Sequence, residues 1–297
     1  METKYSIKDL EHLSGIKAHT IRIWEQRYDI IQPQRTDTNI RYYLDDDLKR
    51  LLNISILVKN GIRISKVGQM SEKEMYEKVL ELSSYKGDYT SQINSLKVAM
   101  LDYDQDLFEK VVNTAIFQMG AEDAFKHIIG NFILEVGLLW QTEAINVAHE
   151  HFISNLIRQK LFTAIDQIMV SAKASDAYIL YLPDEELHEL SLLYLYYYLR
   201  KNGKRVIYLG QSVPFQYLPS VLKTTGARNF VSVLTTRPFD DEKELYFKEI
   251  DRLFDREDCW FHFTGYKTKD VDYSSEIDPT RFRYYQNIEV LKNTILR

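Results

Sequence analysis

The stretch HTIRIWEQRYDIIQPQRTDTNIRYY, residues 19–43, decides how the N-terminal part of the chain is read. Ile16, Ile21, Trp24 and Tyr28 recur at roughly helical spacing, so a helix over 17–28 is expected to turn that face inward, with Trp24 in the core. Lys17, Thr20, Arg22 and Arg27 fall on its other face. Pro33 stops the helix, because its ring removes a backbone N–H and clashes with the preceding turn. Asp37-Thr38-Asn39 then forms a polar turn, which predicts a β-hairpin carrying Arg35, Arg41 and Tyr42. On the N-terminal side, Ser6 is placed to cap a helix over 7–13, and Gly15 can take the left-handed conformation that ends it. Two short helices joined by a tight glycine turn make a helix-turn-helix. On the C-terminal side, three aspartates at 45–47 suit the positive end of a further helix over 45–58.

The chain has 297 residues, 45% of them hydrophobic, enough for two or three packed domains. Its formal charge of -5 argues against a surface that coats nucleic acid uniformly. Locally the balance reverses: Lys17, Arg22, Arg27, Arg35 and Arg41 stand against Glu25, Asp29 and Asp37. The single cysteine, Cys259, excludes a disulfide framework within the chain and is expected to be a small core residue of a cytoplasmic protein. The opening METKYSIKDLEHLSG has no apolar run, so no signal peptide is expected. The longest Tyr/Leu run, residues 190–199, is shorter than the roughly 18 apolar residues a membrane helix needs, and no membrane partner is expected.

Three regions differ in texture: 1–75, 76–170 and 171–297. SSYKGDYTS at 83–91 breaks the helical period and is read as a linker. Residues 74–100 lack three clean heptads, so dimerisation is assigned to the later domains. Segments 93–101, 105–118, 121–139 and 144–168 carry apolar residues at three- and four-residue spacing, which predicts a four-helix bundle. Beyond it, strand-like runs at 176–182, 205–210, 230–236, 259–265 and 281–286 alternate with helical runs at 188–203, 214–225 and 241–256. Strands separated by helices predict a parallel, flavodoxin-like (Rossmann-like) sheet. The expected fold class is therefore multidomain α and α/β. Ligands of such sheets sit beyond the carboxyl ends of the strands, where Pro183-Asp184-Glu185-Glu186-Leu187-His188 lies.

The 19–43 string resembles the signature of the MerR family, and the likeness extends over about 4–73, including NGIRIS at 60–65. Asn39 stands where that family has glycine in the wing turn, and asparagine tolerates positive φ better than most residues. The resemblance implies a winged helix-turn-helix that binds double-stranded DNA. Thr20, Arg22 and Arg27, with Lys17 on the same face, would enter or flank the major groove. Arg35, Arg41 and Tyr42 would grip the backbone from the wing. It also implies a homo-oligomer on a pseudo-palindromic operator.

The bundle and sheet together resemble the cobalamin-binding unit of methionine synthase and of the light-responsive MerR-type repressors of the CarH and LitR group. Trp140 is followed, after nine residues, by Glu150-His151. In those repressors this pattern surrounds the upper, adenosyl face of the cofactor. Glu186-x-His188 looks like the motif whose histidine ligates cobalt from below, the carboxylate orienting it. LGQSVP at 209–214 and Ser232-x-Leu234 match the loops after the second and third strands. Two positions depart: Ser191 replaces a glycine, and Gly265-Tyr266 replaces a Gly-Gly pair. The resemblance implies a dimeric or tetrameric regulator, read as a repressor, that senses adenosylcobalamin and through it light. The departures motivate an alternative, a domain that has lost the cofactor and serves oligomerisation or partner binding. A cobalamin enzyme is the third reading, and the N-terminal helix-turn-helix argues against it. Taken singly, His188 reads as a solvated histidine and Trp140 as bundle core. His149 and His151 are not expected to chelate a metal together, because residues two apart on a helix diverge.

Overall fold

A computed structural model describes residues 4–36, 38–82, 89–141, 145–169, 177–255, 257–268 and 280–296. By its internal contacts the chain divides into two compact units, Met1–Leu156 and Ile157–Arg297.

In the first unit, helix α1 (Ile7–Ser14) starts on a reciprocal cap: Asp9 N donates to Ser6 Oγ (3.3 Å) and Ser6 N to Asp9 Oδ2 (2.6 Å). It ends at Gly15, whose φ of 69° explains the glycine there. The first N–H of α2 (Ala18–Tyr28) donates to Glu11 (3.0 Å), so a carboxylate from α1 caps the second helix. Strands β1 (Gln34–Arg35) and β2 (Arg41–Tyr42) pair antiparallel as the wing, and Asn39 holds the turn at φ 65°. An antiparallel bridge between Tyr5 and Tyr43 anchors the wing to the start of the chain. Helix α3 (Asp45–Lys59) is capped by Asp47, which accepts from Leu44 N at 2.9 Å. Short α4 (Ile64–Val67) and α5 (Glu72–Leu82) follow. Ile21 is fully buried, whereas Trp24 is only half-buried, contrary to its expected core position. Trp24 lies about 60° around the helix from Ile21, at the edge of the apolar stripe. The buried Ile30 and Ile31 supply apolar bulk to that core just beyond the helix.

Helix α6 (Tyr89–Leu101) begins inside the segment read as a linker, and residues 83–88 lie outside the described residues. Every residue from Ser91 to Leu101 is buried. Helix α7 (Gln105–Met119) starts on Asp104, which accepts from Leu107 N at 2.9 Å. Short α8 (Ala121–Asp123) runs through a π-helical turn (Ala124–Ile129) into α9 (Gly130–Gln141), and α10 (Val147–Asp166) follows. These are the four helical segments the spacing predicts.

In the second unit, β3 (Ala177–Tyr181), β4 (Arg205–Gly210), β5 (Asn229–Val233), β6 (Trp260–Thr264) and β7 (Phe282–Tyr285) form one parallel sheet in the order β4-β3-β5-β6-β7. The intervening helices are α11 (Leu190–Lys201), α12 (Leu218–Thr225) and α13 (Lys243–Leu253). A final helix, α14 (Ile288–Ile295), was not expected. One face of the sheet buries Ile179, Phe230, Phe247, Phe261 and Phe263, the other Leu180, Val231, Leu195, Leu199 and Leu291. Cys259 is buried in the first, and burial pushes its thiol up to about 11. The strand order reverses at β3, so the crevice between the loops after β3 and β5 is where such a sheet takes a ligand.

Gly265 follows β6 with φ 116°, and a Cβ there would lie 2.4 Å from Leu234 O. Gly265→Ala is therefore expected to destabilise the second unit by about 2–4 kcal/mol, from backbone strain and overpacking together. Denaturant unfolding of the full chain measures this. A midpoint equal to the wild type would show that the loop relaxes freely.

Candidate functional site

On the outward side of α2, Lys17, Arg22 and Arg27 are exposed and Thr20 is half-buried. Lys17 reaches back to Glu11 at 3.0 Å, with its side chain still 82% exposed. In the wing, exposed Arg35 donates to Asn39 Oδ1 at 2.7 Å, which braces the turn. Half-buried Arg41 lies 3.8 Å from Glu25, and Tyr43 Oη donates to the same carboxylate at 3.1 Å. Glu25 thus ties α2 to the wing. Burial, then Glu25, pushes Tyr43 up to about 12, so it remains a donor. Lys4 lies 4.6 Å over the Tyr42 ring. Sequence reasoning did not single out Arg63, Ser65 and Lys66, which are exposed at α4. Ser65 and Gln69 share an open cleft with Arg27 and Tyr28. NGIRIS was the available signal.

The rim loop of the second unit is built around one carboxylate. Glu186 is fully buried. Its Oε1 accepts from His188 N (3.1 Å) and meets His188 Nδ1 at 2.6 Å. Its Oε2 accepts from three consecutive backbone N–H groups of the loop after β5: Thr235 (3.1 Å), Thr236 (2.6 Å) and Arg237 (2.9 Å). Thr236 Oγ1 adds a further bond at 3.1 Å. Burial alone would raise the Glu186 carboxyl. The His188 imidazole and the N–H groups of Thr236, Arg237 and His188 outweigh that and hold it at about 2. The carboxylate is thereby fixed in its charged form, and it sets Nδ1 of His188 as the nitrogen turned inward. The His188 side chain is 58% exposed. The rest of the loop is braced from β4: Ser212 N donates to Glu186 O (3.2 Å), and Gln211 Nε2 to Leu187 O (2.5 Å). Arg237 pairs with Glu185 and stacks 3.4 Å over the Phe239 ring.

The folded Glu186 value lies below the ordinary 4.5, so the stability it supplies is present above that pH and is lost as pH falls toward about 2. Acid titration followed by near-ultraviolet circular dichroism should show a shallower loss between these limits in Glu186→Gln than in the wild type. Superimposable acid limbs would contradict this.

Ser232 sits inside β5 rather than in the loop beyond it, fully buried, and its Oγ has no hydrogen-bond partner among the described residues. The loops after β3, β4, β5 and β6 each expose one large apolar side chain: Leu187, Tyr217, Phe239 and Tyr266. Ser191, at the start of α11, is exposed.

In the first unit, Trp140 is 47% exposed in the last turn of α9, not bundle core. Glu150 and His151 lie next to each other near the start of α10, with His151 Nδ1 2.7 Å from Glu150 Oε2. Ser154 Oγ holds the other Glu150 oxygen at 2.6 Å. His149 diverges from His151 as expected. It is buried, stacks on Tyr103 with ring centroids 4.7 Å apart, and its backbone N donates to Asn146 Oδ1 at 3.1 Å, which caps α10. No cluster of three or more metal-ligating side chains occurs among the described residues. No helix among them is long and apolar enough to cross a membrane. The Thr235–Arg237 clamp is the feature sequence reasoning missed. Its only signal was Thr-Thr-Arg-Pro directly after a strand.

Comparison with known families defines the class first. Residues 5–74 match the MerR HTH family regulatory protein model, and residues 92–164 match the B12 binding domain model. The relatives are then specific. The chain is 27% identical over 223 residues to the HTH-type transcriptional repressor CarH of Myxococcus xanthus, covering 73% of this chain and 74% of that one. It is 26% identical to the repressor CarA of the same organism, covering 70% and 68%. In fold it is similar to the monomethylamine corrinoid protein of Methanosarcina barkeri, with a TM-score of 0.51 and 14% identity over 76% of this chain and 99% of that one. The chain therefore joins a MerR helix-turn-helix to a B12-binding domain and is a homologue of these two repressors.

Proposed function

We propose that the chain is a DNA-binding transcription regulator, acting as a repressor, whose C-terminal half senses a cobalamin. The observation that carries this reading is His188, set at the sheet's carboxyl rim with Nδ1 held by a buried carboxylate. Carboxylate-held imidazole is the usual arrangement for a histidine that ligates a metal through its other nitrogen. His188 would be the lower axial ligand of cobalt through Nε2, with Glu186 positioning it. The Ser232 hydroxyl, without a hydrogen-bond partner among the described residues, fits a hydrogen-bond acceptor on the nucleotide tail. Leu187, Tyr217, Phe239 and Tyr266 offer an apolar rim to a flat macrocycle. Trp140, Glu150 and His151 are the further cofactor contacts that the resemblance implies. Bound adenosylcobalamin would supply a light-labile cobalt–carbon bond. The alternative of a cofactor-free domain is not favoured, since histidine, carboxylate and buried serine are all in place and Ser191 and Tyr266 are exposed.

In the same reading, Lys17, Thr20, Arg22 and Arg27 meet the major groove of double-stranded DNA, and Arg35, Arg41 and Tyr42 the backbone. Functional segments 1–75, 76–170 and 171–297 serve DNA, the upper face and the lower face. The protein works in the cytoplasm as a dimer or tetramer and as a regulator rather than an enzyme. The test is to mix purified chain with adenosylcobalamin in the dark, pass it through gel filtration and record the visible spectrum. Corrin absorbance eluting with the protein supports the reading, and its absence at micromolar cofactor overturns the sensing half. Footprinting on promoter DNA tests the other half.

A further inference from the structure

Helix α6 is buried from Ser91 to Leu101 yet carries Ser91, Gln92, Asn94, Ser95 and Lys97 there. Ser91 and Asn94 meet α3 and the residue that ends it, and Lys97 meets α1. Asn60 Nδ2 donates to Ser91 Oγ (3.1 Å), and Asn94 Nδ2 donates to Ser55 Oγ (3.5 Å). Ser55 in turn donates to Ser14 O (3.0 Å), and Lys49 pairs with Asp102 (2.6 Å). Gln92, 1% exposed, has neither amide atom partnered among the described residues. At the centre, Lys97 Nζ donates to Leu13 O in the last turn of α1 (2.8 Å) and pairs with Glu135 on α9. Its side chain is 4% exposed.

A buried lysine is a poor device for stability alone, since an apolar side chain of similar volume usually does as well or better. In some proteins such a group instead specifies position. Removing only one partner leaves an uncompensated buried charge, which is strongly unfavourable, so the positions of the two partners become linked. Here one partner is the carbonyl just before the α1–α2 turn. The other is on the helix that also bears Trp140.

We propose that Lys97 is a positioning residue for the DNA-binding face: by bridging Leu13 O and Glu135 it ties the α1–α2 turn to α9. Displacement of Glu135 strands the ammonium and loosens the turn that sets α2. That a cofactor moves α9 rests on the reading of Trp140 given above; the bridge itself does not.

Hydrogen–deuterium exchange on the full chain tests it with Lys97→Met and Glu135→Gln. Both are expected to speed exchange of amides 14–21 by at least about tenfold and to leave β3 and β5 unchanged. The double variant should match Lys97→Met alone, because the two groups form one linkage. Unchanged exchange at 14–21 in either variant, or additive effects in the double, would overturn the proposal. Should Lys97→Met fail to fold, Glu135→Gln decides, since that side chain is 37% exposed and its loss leaves the core filled. In the wild type, loading with adenosylcobalamin should change operator affinity, and in Lys97→Met the loaded and unloaded affinities should agree within about twofold. A ratio kept at its wild-type value would also overturn the coupling role. If the wild type retains no corrin, the sensing reading fails, while the cofactor-free exchange comparison still decides the bridge.

Discussion

His188→Ala is expected to lower the affinity for cobalamin by two orders of magnitude or about that, and Glu186→Gln by about 10–100-fold. The histidine change removes the proposed ligand. The glutamate change keeps the ligand but leaves it without the charged acceptor at Nδ1 and exchanges a fully bonded carboxylate for an amide. That amide must place an NH2 group against donors already aimed at it. The two variants should differ in the visible spectrum of whatever cofactor remains bound. His188→Ala loses the nitrogen-ligated form, and millimolar imidazole restores it in part. Glu186→Gln retains the form with weaker binding. Full retention by His188→Ala, with an unchanged spectrum, would remove the axial role. Thr236→Val is a milder companion, since it removes the hydroxyl at 3.1 Å but keeps the three N–H groups.

The second large effect lies at the other end of the chain. Arg22→Ala and Arg41→Ala should each weaken operator binding, Arg22 by about 1–3 kcal/mol with relaxed preference at one base position. Arg41 should act almost uniformly on all DNA and lower the salt slope by about one. The difference follows from placement. Arg22 stands out from the exposed face of α2, whereas Arg41 is half-buried beside Glu25, at the joint between helix and wing. Binding measured on operator and on random DNA across a salt series separates the two. Equal losses on both DNAs for both variants would contradict the assignment.

The helix-turn-helix was legible because its signals are local. Ser6, Gly15, Pro33 and Asn39 each fix a cap, a turn or a stop from a few neighbouring residues. The alternation of strands and helices in the second unit was legible for a similar reason, since hydrophobic period changes where structure changes. The signal for α14 was present and went unread: Asn287 caps Val290 N, and Leu291 and Ile295 lie one turn apart on its buried face. Two features were not legible. The clamp on Glu186 comes from backbone N–H groups some fifty residues downstream, and backbone donors leave no trace in side-chain identity. Helix α6 defeats composition outright. Its serines, asparagine, glutamine and lysine would ordinarily mark a solvent face, and packing on both sides buries them all.

The burial of α6 has a practical consequence for dissection. A fragment cut at residue 75 would look like a complete DNA-binding module by its sequence. It would nonetheless carry α3 stripped of the helix that covers it, with Leu13 O, Ser55 and Asn60 losing their polar neighbours on α6. Such a fragment invites misfolding or self-association, and a weak operator signal from it would report on the cut. A boundary beyond Asp166 keeps α10 and every earlier helix whole. Chimeras that graft this winged helix onto another sensor should therefore carry α6 with it.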